Sequence, residues 1–189
     1  MKTKQERSEI FKLFQASIKK SSTFEIGKQH LLMLRAELAA VYDYIFATCN
    51  HDDFSKMPLA KDKTIAYYLY HLLRIEDITA NTLIAGKTQI FFAENFSQSL
   101  NSPIITTGNE IKRDDLVEFS KTINIDELEN YANAVLKNTN EIIQTMSFEH
   151  SRIKVSAARE VELLNTKTVS NGENALWLLR YWCKKIMRD

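Results

Sequence analysis

Four histidines, two cysteines and one carboxylate in an apolar stripe hold most of the chemical potential of this 189-residue chain. An imidazole can bind a metal ion or move a proton near neutral pH. The spacing of His30, His51, His71 and His150 matches no compact metal motif. HExxH, E-x-x-H and H-x3-H are all absent, so neither a zincin nor a ferritin-type di-iron site is encoded. The four glycines never cluster, which excludes a Walker loop and a GxGxxG turn. No G-x-S-x-G elbow occurs.

His71 is the leading candidate. It lies in the middle of an apolar helical segment, with Ile75, Ile78 and Thr82 on its flank. It therefore faces the interior or the mouth of a bundle, where helix-borne ligands converge. A buried histidine bonded to a neighbouring element gives the same pattern. Glu76 is the second candidate, because it takes a core slot in the same helix. A carboxylate there needs a partner or gains a raised pKa by desolvation. Its neighbours at i±4 are Leu72 and Ala80, so the partner must come from another element; Arg35 and Arg180 qualify. A structural ion pair and a ligand or general-base role are both open for it. His71 and Glu76 stand about 140° apart around a helix, so one ion does not join them without a distorted helix.

The remaining candidates read more simply. His30 flanks a core stripe as a packing residue, His51-Asp52-Asp53 is a polar turn, and His150 follows Glu149 at the start of a weak helix. Cys49 and Cys183 match no ligand spacing, and Cys183 sits in a heptad core slot as an inert thiol. Two distant cysteines place the chain in a reducing, cytoplasmic compartment.

The elements that must position these residues are helical. Gly and Pro together make up 6 of the 189 residues, too few for the frequent turns of a β-sandwich or barrel. Four segments carry heptad stripes, the pattern of near-parallel helix packing. The first, 23–47, opens on a Ser22-to-Glu25 capping box and carries Leu31, Leu34, Leu38, Val41 and Ile45. The second, 61–85, carries Ile65, Leu69, Leu72, Glu76, Thr79 and Leu83, and Gly86 takes the C′ position. The third, 125–146, is capped at Asn124, with Ile123 and Leu128 as a hydrophobic staple. It carries Leu128, Ala132, Val135, Thr139, Ile142 and Met146. The fourth, 171–189, carries Leu176, Leu179, Cys183 and Ile186. Its Trp177, Tyr181 and Trp182 cannot all be core.

A short amphipathic helix precedes them within residues 1–20, with Ile10, Phe11, Phe14 and Ile18 at helical spacing. Residues 49–60 read as a polar loop. Residues 87–110 form a long crossover whose Phe91, Phe92 and Phe96 should pack back on the bundle. A short helix is expected near Asp114–Lys121, and 149–165 is helical with weak periodicity. The expectation is one all-α domain over 1–189.

Within this frame TIAYYLYHLLRIEDITANTLIAG, residues 64–86, resembles the second-helix segment of the DinB/YfiT-like bundle superfamily. The shared features are aromatic and apolar residues, a histidine, an apolar-x-x-Glu turn and a leucine before glycine. The resemblance implies an up-down-down-up four-helix bundle, often a homodimer. It also implies a divalent metal such as Zn or Ni, held by three histidines. His71 matches one of them. The other two would form an H-x3-H pair on the last helix, yet no histidine follows His150. The chain therefore reads as a non-catalytic or small-molecule-binding DinB-like protein. The alternative is a metal-dependent hydrolase or thiol-dependent S-transferase of the same type.

Charge excludes some partners. Net charge is +1, with +4 in residues 1–20, +3 in 176–189 and −6 between them. The basic residues are too sparse for a nucleic-acid interface. The longest notable apolar run, Ala66–Tyr70, is far short of the ~20 residues that span a bilayer, so neither nucleic acid nor membrane is an expected partner.

Overall fold

The computed structural model describes residues 2–57, 63–152 and 155–165. The expected last helix, 171–189, lies outside them, as do Arg180, Cys183, Trp177, Tyr181 and Trp182. Every regular element among the described residues is helical, as the low Gly and Pro content requires. None of these helices is long and apolar enough to cross a membrane.

Helix α1 (Lys4–Ser17) opens on a capping box in which Thr3 and Glu6 satisfy each other's amides. It folds back along α2 (Phe24–Thr48). Lys2 pairs with Glu37 at one end of this hairpin. At the other end Gly27 lies against Ile18, where a Cβ would come within 2.6 Å of the Ile18 side chain. The expected Ser22 capping box does not form. Residues Ser21–Thr23 make a 3-10 turn, and the Thr23 hydroxyl donates to the Ser17 carbonyl instead. The expected polar loop after α2 contains α3 (His51–Phe54), closed by an Asn50–Asp53 capping box. Its Phe54 is buried and stacks on Phe46.

Helix α4 (Ile65–Asp77) starts at a Thr64 cap, four residues later than expected. It continues as a π-helical segment over Ile78–Ala85. Gly86 then ends it in the left-handed conformation, φ 65°, at the expected position. Ten of the thirteen α4 residues are buried, so α4 is a central helix with almost no solvent side. The heptad stripe is therefore too narrow a description. Leu72, a stripe position, is one of the less buried residues, whereas Tyr70, Leu73 and Arg74 lie off the stripe and are fully buried.

The crossover carries two one-turn helices, α5 (Ile90–Ala93) and α6 (Phe96–Ser99). Phe91 and Phe96 pack inward, but Phe92 remains 36% exposed, in correction of the expected set of three. Helix α7 (Leu116–Thr122) follows a 3-10 turn and matches expectation closely. Helix α8 (Ile125–Thr145) has its predicted Asn124 cap. Ile123 and Leu128 are both buried. Its five stripe residues from Leu128 to Ile142 are buried; Met146 is half-buried. Short α9 (Phe148–Ser151) and α10 (Ala157–Asn165) follow. Arg159 of α10 donates to the Leu83 and Ile84 carbonyls, a cation at the negative end of the π segment. The main core lies where α4, α7, α8 and the crossover meet.

Candidate functional site

The central helix buries four ionisable residues within seven positions: His71, Arg74, Glu76 and Asp77. A buried polar group without a partner is costly. Each of these four has a partner outside its own helix, and Arg74 and Asp77 also pair with each other.

Glu76 meets Arg35 of α2, one of its two expected partners, at 2.7 Å. Both side chains are almost wholly excluded from solvent. Arg35 also donates to Asn140 and to the Leu136 carbonyl of α8. The pair thus ties α2 to α4 and α8. Tyr42 lies nearby, and burial followed by the Glu76 charge pushes its hydroxyl pKa well up.

Arg74 and Asp77 form a second buried pair at 3.3 Å, with Tyr131 of α8 bonded to both. Arg74 also donates to Gln89 and to the Ile105 carbonyl, and its guanidinium lies 3.9 Å from the Phe91 ring centre. Asp77 accepts from the Ile90 and Phe91 backbone amides at 2.9 Å each. Those are the first amides of α5, whose own preceding residue, Gln89, offers no side-chain cap. Asp77 therefore caps a helix that begins thirteen residues downstream, with the favourable sign of charge. Burial, and then the Asp77 charge, pushes the Tyr131 pKa well above the phenol range. Burial pulls the Arg74 pKa down, but Tyr131, Tyr70 and Asp77 outweigh it and the net direction is up.

His71 is buried and stacks on Tyr67, with ring centres 5.4 Å apart and planes within 10°. Its Nδ1 lies 2.7 Å from the Thr107 carbonyl. A carbonyl only accepts, so Nδ1 carries the proton. Tyr67 and Tyr70 extend the same contact. They donate to the Gly108 carbonyl at 3.3 Å and the Ile104 carbonyl at 2.8 Å. With Arg74 on the Ile105 carbonyl, four side chains of one helix thus hold the backbone of residues 104–108. Gly108 has φ 85° and lies against Tyr67, where a Cβ would meet the ring at 3.2 Å.

Ile104, at one end of the segment held this way, lines an open cleft of about 400 Å3. Ile104, Ile111 and Phe119 give it an apolar lining, and Glu110, Asp115 and Glu118 stand at it as carboxylates. Phe119 packs edge-on against both Tyr67 and Tyr70.

Metal ligation does not fit this arrangement. No group of three His, Cys, Asp or Glu among the described residues is placed to hold an ion. His30 is half-buried on α2, His51 is exposed beside Asp126, and exposed His150 lies in α9. The structure brings neither these histidines nor Glu76 to His71 as a set. Sequence reasoning missed Arg74, Asp77, Tyr67 and Tyr70. Their signal was present: residues 64–86 offer no polar face, so every charge in them had to be internal. The chain matches no protein-family model and no curated protein.

Proposed function

We propose that this protein is a non-catalytic, DinB-like helical bundle that binds a small molecule in the cleft between residues 104–111 and α7. The observation that supports this reading best is the use of His71. Its proton-bearing nitrogen holds the Thr107 carbonyl, within the stretch that joins the cleft-lining residues Ile104 and Glu110. Glu76 is likewise committed to Arg35. The cleft has the size and mostly apolar lining of small-molecule sites. Three long helices at the expected positions agree with the DinB-like architecture.

A homodimer belongs to the same proposal. Ile26, Met33 and Tyr44 are exposed and fall within about 20° of one line along α2 at 100° per residue, an apolar stripe of the kind that partners cover.

A thermal-denaturation series with chelator and with added zinc or nickel tests the proposal. A metal bound only by the native state raises its melting temperature by mass action. The expected result is no change on chelation. A drop on chelation that zinc or nickel restores would favour the metal-dependent hydrolase or S-transferase instead.

A further inference from the structure

We propose that the cleft takes an amphipathic organic cation, an ammonium group carried on an aliphatic or aromatic body. This rests on the reading of the cleft as a binding site and adds the chemical class of its ligand. Ile104, Ile111 and Phe119 supply the apolar surface, with Pro103 beside them. Ile104 and Ile111 are only half-buried, so part of that surface faces solvent. Covering it with an apolar ligand body is favourable in proportion to the area removed from water.

Charge selects the ligand's other end. Glu110, Asp115 and Glu118 stand against Lys112 alone, a net charge of −2 at the cleft. None of the ion pairs among the described residues engages any of the three carboxylates. Glu110 does accept the Thr106 hydroxyl, which keeps it on the wall as an acceptor. An anionic ligand would meet like charge here, and like-charge juxtaposition is how interfaces reject wrong partners. A neutral ligand would leave the carboxylates unused. Tyr70 holds the Ile104 carbonyl, and His71 and Tyr67 hold the backbone that leads from Ile104 towards Glu110.

The test is a titration of the full chain with 2-phenylethylamine, neutral 2-phenylethanol and anionic 3-phenylpropanoate, followed by NMR of the Ile104 and Ile111 methyl groups. The expected result is saturable shifts at both methyls, tightest for the amine and weakest for the acid. Asp115→Asn with Glu118→Gln should weaken amine binding roughly threefold to tenfold, as two exposed charge contacts would, and leave the alcohol unaffected. Lys112→Glu should strengthen the amine, and added salt should weaken it. Equal binding of amine and alcohol would overturn the cationic preference while leaving a binding cleft. No shift at either methyl with any probe would overturn the proposal itself. Failure of the underlying reading shows separately, as metal-dependent stability.

Discussion

A charge on a helix with no solvent side needs an internal partner, and the price of removing that partner falls on the charge left behind. Glu76→Gln should therefore destabilise the fold by about 3–5 kcal/mol, because Arg35 stays buried and unpaired. Replacing both, as Arg35→Met with Glu76→Leu, should cost less than the two single changes added together. Urea denaturation of the three variants checks this. At His71 the donor position matters. Asn places its amide nitrogen near Nδ1, whereas Gln places it near Nε2. His71→Asn should retain most of the stability, and His71→Phe should lose about 1–3 kcal/mol by leaving the Thr107 carbonyl unpaired. Equal loss in both, or better rescue by Gln, would show that the Thr107 contact is not what His71 supplies.

At the scale of elements, the crossover depends on α4 more than on its own short helices. One-turn helices are marginal by themselves, and Asp77 supplies the cap that α5 lacks. Asp77→Ala should speed hydrogen exchange at the Ile90 and Phe91 amides more than at α8 amides such as Val135. Uniform acceleration would mean that Asp77 supports the whole fold rather than the crossover. This element also marks where sequence reading loses its grip. The Asn124 cap, the Gly86 stop and the α8 stripe are local signals, legible in a few residues. The caps at α5 and at the cleft wall come from side chains twelve or more residues away, and no local pattern records them. The Ser22 capping box shows the converse. Its residues fit the motif, yet the tight α1–α2 turn, which brings Ile18 against Gly27, has the Thr23 hydroxyl donating to Ser17.

Across the whole molecule, buried tyrosines couple stability to alkaline pH. Burial holds the Tyr42, Tyr70 and Tyr131 hydroxyls protonated above their usual range. In the unfolded chain they ionise near pH ~10. Their contribution is therefore complete below that value and is lost as pH rises through the folded-state values. Urea midpoints should hold up to about pH 10 and then fall. Tyr131→Phe should lower stability at neutral pH and flatten the alkaline fall. A midpoint independent of pH through that range would contradict it. The all-helical class was legible from the scarcity of Gly and Pro. The role of His71 was not, because position on a helix does not say whether a ring nitrogen meets an ion or a carbonyl.

We propose that His71 holds the Thr107 carbonyl beside the cleft and does not ligate a metal. Elemental analysis of the purified full chain and of His71→Ala by mass spectrometry tests it most directly. Well under one equivalent of zinc, nickel or manganese, unchanged by the substitution, is the result predicted. One equivalent of a divalent metal that disappears with His71 would contradict it.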